Sequence, residues 1–152
     1  MKKILFAASE AVPFMKTGGL ADVTGSLPKY FDKKNYDVRV ILPKYVCMEE
    51  RWKGQLHFLC HFYVNLSWRK QYVGIFETTY DGITYYLVDN EFYFAGNAPY
   101  NNIYEDVEKF AFFSKAVLEA LPYLDFCPDI IHCHDWQTGL LPVFLRTLYG
   151  DE

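Results

Sequence analysis

Lys16-Thr17-Gly18-Gly19, followed by Leu20-Ala21-Asp22-Val23, puts a positive charge, a hydroxyl, two residues without a Cβ and a carboxylate into one short segment. Adjacent glycines let the main chain turn tightly and come close to a ligand, and a helix beginning there aims its unsatisfied amides back at that ligand. The octet reads as a reception site for phosphate and sugar; the same Gly-Gly pair also reads as plain turn chemistry between a strand and a helix. A second concentration of chemistry is His132-Cys133-His134-Asp135-Trp136. On a strand, His132 and His134 share a face. Such a pair beside an aspartate can ligate zinc or iron, can offer a neutral His134 to a sugar hydroxyl near Trp136, or can be a satisfied strand end. The remaining histidines, His57 and His61, fall in a segment that reads as a hairpin.

The elements that must carry these residues follow from periodicity. Lys3 to Ala8 is a short apolar run and reads as a buried strand. Leu20, Val23, Leu27, Tyr30 and Phe31 recur at steps of three and four, one apolar face of a helix that runs to about Asn35, with a kink or boundary at Pro28. Val38 to Leu42 reads as a second strand closed by Pro43. Strand, glycine turn, helix and strand make a βαβ unit, and its right-handed crossover places Gly18-Gly19 at the carboxyl edge of a parallel sheet, where such sheets bind ligands. From Gln55 to Asp89 aromatic and β-branched residues alternate, which predicts hairpins with a turn at Asp81-Gly82. Glu91 to Tyr104 reads as a surface loop, Asp106 to Leu121 as a helix stopped by Pro122, Asp129 to His134 as a third buried strand, and Leu140 to Leu148 as a last helix. The expected fold is α/β: one Rossmann-like three-layer domain over residues 1–152, with a parallel sheet and inserted hairpins.

A chain of 152 residues can bury about 70% of its unfolded surface in one domain. With 51% hydrophobic and 22% charged residues it is globular, not disordered. The net charge of −4 argues against a nucleic-acid partner, and Lys2-Lys3, Lys33-Lys34 and Arg69-Lys70 read as solvated surface. Cys47, Cys60, Cys127 and Cys133 form no Cys-x-x-Cys pair and read as buried thiols in a reducing compartment. The amino-terminal run has a faint leader-like flavour, but Ser9-Glu10 interrupts it, and no segment is long and apolar enough for a membrane. A cytoplasmic location is expected.

The run from Ala8 through Val23, together with His-x-His-Asp-Trp-x-x-Gly-Leu at His132 to Leu140, resembles the bacterial glycogen synthases and plant starch synthases. The resemblance implies the amino-terminal, acceptor-side domain of a GT-B glycosyltransferase. Such an enzyme moves glucose with retention from a sugar nucleotide, ADP-glucose in the bacterial and plant relatives, to the non-reducing end of an α-1,4-glucan such as glycogen or a maltooligosaccharide. It implies no cofactor and no metal. It makes Lys16 the cation near the donor diphosphate, with Thr17, Gly18 and Gly19 as the close-approach backbone. Asp22 then lies near the sugar cleft, and His134 contacts the transferred glucose where oxocarbenium-like charge develops, flanked by Asp135 and Trp136. Tyr93 or Tyr100 would stack on a glucan ring. Where the family usually shows an aspartate and an arginine ahead of Phe110-Ala111-Phe112-Phe113, this chain has Glu105, with Asp106 next to it, and Lys109. Both acids also suit a helix amino terminus. The resemblance covers only the first part of such an enzyme, so the nucleotide-binding second domain is expected to be absent and the chain alone inactive; the alternative is a non-catalytic glucan-binding module. A dinucleotide-binding domain would need Gly-x-Gly-x-x-Gly, which is missing. The choice between ADP-glucose and UDP-glucose is not legible.

Overall fold

The computed structural model describes residues 1–151. Six strands form a single sheet in the order β3-β4-β5-β2-β1-β6, where β1 is Lys2–Ala7, β2 Tyr36–Pro43, β3 His57–Leu66, β4 Arg69–Tyr80, β5 Ile83–Asp89 and β6 Ile130–Cys133. The run β5-β2-β1-β6 is parallel and β3-β4-β5 antiparallel. The hairpins therefore extend the parallel sheet along one edge. Helices α1 (Gly19–Ser26), α2 (Glu50–Lys53), α3 (Ile103–Ala120) and α4 (Leu140–Leu148) complete the fold. β1 and β2 are buried because charge is confined to their ends and to Arg39, whose guanidinium is bridged to Asp37 and donates to the Tyr86 hydroxyl.

Two apolar cores lie on opposite faces of the sheet. One is built on Leu5, Ile41, Tyr86 and Val88 with Phe110, Phe113, Ala116 and Val117 of α3. The other gathers Phe6, Val40, Leu42 and Tyr85 with Phe14 and Trp52. The Asp81-Gly82 turn forms as its sequence dictates, with positive φ at both residues (52° and 79°), the twist that suits a two-residue hairpin. The β3-β4 turn instead puts Ser67 at φ 57° with no glycine to announce it.

Several expectations need correction. Val23, Leu27 and Tyr30 of the expected apolar face are exposed, and α1 with the 3-10 turn Leu27–Tyr30 that follows buries Ala21, Thr24, Gly25 and Pro28 instead. The helix lies so close to the Ala11–Pro13 segment that a Cβ at Gly25 would collide with Val12, so small residues face inward and large ones outward. Pro28 does mark the boundary: α1 ends at Ser26 and the turn carries the chain to Tyr30. The third strand is not buried. β6 is an edge strand with Ile130 and His132 exposed. Of the four thiols Cys127 is exposed and the others are half-buried, all unpaired.

Candidate active site

β1 and β6 run side by side and end together, Ala7 opposite Cys133. The two motifs leave from these neighbouring strand ends. At the end of β1, Tyr45 donates its hydroxyl to the Ser9 carbonyl at 2.7 Å, and Thr24 of α1 donates to the Glu10 carbonyl at 2.6 Å. The chain then rises through Val12 and Phe14 to the exposed Lys16-Thr17-Gly18-Gly19 turn, which opens α1. Gly18 is extended (φ −163°), a conformation any residue adopts, and a Cβ at Gly18 or Gly19 would meet nothing within 4 Å. Neither backbone torsion nor internal packing requires glycine here, so what the pair provides is access from outside. Lys16 and Asp22 are both about half exposed and pair at 2.9 Å. Such a surface pair adds about 0–1 kcal/mol, so a stronger anion can take Lys16 from it.

On the β6 side, the His134 amide donates to the Ala7 carbonyl at 3.1 Å and the His134 carbonyl accepts from the Thr138 hydroxyl at 2.9 Å. Its ring lies 4.2 Å from that of His132 and 4.9 Å from that of Phe6, centroid to centroid. Nε2 is buried without a hydrogen-bond partner. Burial, and secondarily the charge of His132, push the His134 imidazole down from 6.5 to about 4, so it is neutral at pH 7. Asp135 takes φ 64°, ψ −176°, a strained conformation for a residue with a Cβ, and its carboxylate accepts from Trp136 N at 2.7 Å. That strain turns the chain sharply into the 3-10 turn Trp136–Thr138. Trp136 is about half exposed and packs edge-on against Phe110 at 5.6 Å.

The neutral His134 has a consequence for stability. The unfolded imidazole binds its proton near 6.5, the folded one only near 4. As pH falls through this window the unfolded chain takes up the proton first, and stability declines. Melting temperature measured from pH 7 to pH 4 is expected to fall more steeply for the native chain than for His134→Asn; parallel curves would contradict the assigned protonation.

The 91–102 loop forms the third wall. Tyr93 is not the exposed platform its loop position suggests: it is 5% exposed, with its ring stacked on Phe112 at 4.6 Å and flanked by Phe92. Burial pushes its hydroxyl up to about 12. Tyr100 is half-buried and shares a 2.6 Å hydrogen bond with the Ser9 hydroxyl. The two neighbouring acids are separated by the structure. Asp106 is buried, accepting from Asn101 N and from Lys109, whose ammonium also reaches Pro99 O and Asn101 Oδ1. Glu105 is exposed and, with Phe92, Asn101 and Glu108, lines a cleft of about 370 Å³ between the loop and the first turns of α3. Asn102 caps α3 by accepting from Tyr104 N and Glu105 N.

The structure thus brings Lys16, Thr17, Gly18, Gly19 and Asp22 together in one turn and sets His134, Asp135 and Trp136 at the neighbouring strand end. Tyr93 and Asp106 are buried, and Tyr93 lines the same cleft as Glu105, which stands at its rim. The residue the motifs did not reveal is Glu10, a buried carboxylate that holds Thr17 from beneath. Its signal was present as a charged residue directly after an apolar strand. Among the described residues no three His, Cys, Asp or Glu side chains cluster as metal ligands, and no helix is long and apolar enough to cross a membrane.

Comparison with known proteins places the chain in a family. Residues 3–152 match the family model described as the starch synthase catalytic domain. A glycogen synthase of Lachnoclostridium phytofermentans is 70% identical over 146 residues, 96% of this chain and 30% of that protein. One of Lachnospira eligens is 64% identical over 150 residues, 99% of this chain and 31% of that protein. The catalytic domain of starch synthase IV from Arabidopsis thaliana, solved bound to ADP and acarbose, superposes with a TM-score of 0.85 at 30% identity, covering 98% of this chain and 31% of that one. The chain spans about 30% of the length of the relatives it matches.

Proposed function

Since the chain belongs to the starch synthase catalytic domain family, we propose that it forms the acceptor-side part of a cytoplasmic glucosyltransferase that moves glucose from ADP-glucose to the non-reducing end of an α-1,4-glucan with retention. The observation that carries this reading is the glycine pair: a turn that needs glycine for nothing inside the fold, open above, next to a lysine held only by a surface ion pair. The starch synthase relative, solved with ADP and acarbose, supports a nucleotide and a glucan-like ligand for this fold.

In this mechanism Lys16 exchanges Asp22 for the donor diphosphate, and the amides at the start of α1 approach the same charge. Neutral His134 meets the hydroxyls of the transferred glucose without adding positive charge where an oxocarbenium-like centre develops. Its carbonyl, fixed by Thr138, supplies a dipole preorganised for that centre. The residues that bind the base, and the carboxylates and cations that complete the cleft, belong to the remaining length of such an enzyme, so residues 1–152 bind ligand without turnover.

Saturation-transfer NMR with maltohexaose, ADP-glucose and UDP-glucose tests the proposal. The expected result is an ADP-glucose signal that Lys16→Ala removes while the maltohexaose signal persists. A folded chain that responds to none of the three, or an ADP-glucose signal indifferent to Lys16, would overturn it.

A further inference from the structure

Glu10 is 2% exposed. Its carboxylate is met by neutral donors: one oxygen, Oε2, accepts from Thr17 N at 3.1 Å, Thr17 Oγ1 at 2.6 Å and Tyr100 OH at 3.3 Å. Burying a carboxylate among neutral groups is costly, so its position calls for a reason. Thr17 supplies one. It lies between Lys16 and Gly18, and two bonds to a single buried oxygen fix both its backbone and its side chain. That sets where Lys16 departs and where the Gly18 amide points.

Little else can set them. Gly18 and Gly19 stand in open space, and Lys16 has only exposed Asp22. The other connections of Glu10 bind the same assembly from below. Its carbonyl accepts from Thr24 of α1, and the Val12 amide two positions on donates to Ala21 O at 3.1 Å. Through Tyr100, which also bonds the Ser9 hydroxyl, the carboxylate reaches the 91–102 loop, and Tyr100 packs against Phe110, which touches Trp136. The carboxylate is thus bonded directly to the Thr17 turn and to the loop, and is linked to the Trp136 side through the rings of Tyr100 and Phe110.

We propose that Glu10 is a positioning residue: it holds the Lys16–Gly19 turn in register for a diphosphate-bearing ligand and ties that turn to the Tyr100 wall. The ligand rests on the function proposed above; the placement of the turn does not. The test uses the isotope-labelled chain with Glu10→Ala, Glu10→Gln, Thr17→Val and the double variant Glu10→Ala/Thr17→Val. The readouts are the amide resonances of Gly18 and Gly19 and titration with inorganic diphosphate.

Glu10→Ala and Thr17→Val are each expected to move both glycine resonances and to weaken diphosphate binding on the order of 10- to 100-fold, the scale on which losing an orienting partner weakens a metal site. The double variant should be no worse than Glu10→Ala alone, because the Thr17 Oγ1 bond that Thr17→Val removes is already gone when the carboxylate is gone. Glu10→Gln, which keeps a carbonyl acceptor for Thr17, should restore both readouts. Because Thr17 is exposed, Thr17→Val keeps the test open if Glu10→Ala does not fold. Unmoved glycine resonances in Glu10→Ala or Thr17→Val, or additive losses in the double variant, would sink the proposal. A native chain that binds no diphosphate would count against the proposed function, and the glycine resonances would then decide the role of Glu10 alone.

Discussion

Gly19→Ala is expected to leave the chain at least as stable as the native one while weakening ADP-glucose binding by tenfold or more. Gly19 is the first residue of α1, it is exposed, and an added Cβ meets no atom within 4 Å. In a helix alanine is favoured over glycine by roughly 0.5–1 kcal/mol, which for a chain of this size raises the melting temperature by about 2–4 °C at most. The open space that makes the substitution harmless to the fold is the space a donor would need, so the methyl group obstructs only the ligand. A tenfold loss corresponds to about 1.4 kcal/mol. Calorimetric melting and titration on the same sample separate the two effects. Unchanged binding would show that the glycine pair is turn chemistry after all.

The largest expected loss of stability belongs to Lys109→Met. The Lys109 side chain is 4% exposed and its ammonium reaches Pro99 O and Asn101 Oδ1 at 2.8 Å and Asp106 Oδ1 at 3.3 Å; Asp106 is itself only 8% exposed. Removing the cation leaves a buried carboxylate without its counter-charge and two carbonyl acceptors without their donor, which costs about 3–5 kcal/mol, a large share of the 5–15 kcal/mol that holds a typical domain together. Urea unfolding should register the full loss in Lys109→Met and a partial recovery in Lys109→Met/Asp106→Asn, where the stranded charge is gone. A loss below about 1 kcal/mol, the size of a surface pair, would mean that water reaches the site. The arrangement also explains the lysine. Its three acceptors come from the loop and from α3 in different directions, which suits a compact ammonium better than a planar fork.

Elements with unbroken periodicity were legible in the sequence. β1, β2, the Asp81-Gly82 hairpin, α3 and α4 fall where alternation, three-to-four spacing and turn residues put them, and α3 begins slightly earlier than its pattern because Asn102 caps it. The Gly18-Gly19 turn also follows the β1 strand end, the sheet edge that the βαβ order assigned to it. What failed was the direction of side chains where packing inverts the usual preference. α1 faces inward with Ala21, Thr24 and Gly25 because close approach to Val12 leaves room only for small residues. Tyr93 turned inward because Phe112, about twenty positions on in sequence, offers it a stacking partner. Ser67 turns a hairpin without glycine. Glu10 escaped notice because its partners, Thr17 and Tyr100, meet it only once the chain has folded.

The pairing of β1 with β6 carries a kinetic meaning. Lys3 bonds Asp129 across 126 positions of chain, whereas β3, β4 and β5 pair with near neighbours through tight turns. Closing a long loop costs entropy that short hairpins do not incur. The antiparallel flank closes only short loops, whereas the strand ends that lead to Glu10 and His134 meet only across this long separation. Loss of the β1–β6 pairing alone would part the two motifs while leaving the hydrogen bonds of the hairpins in place.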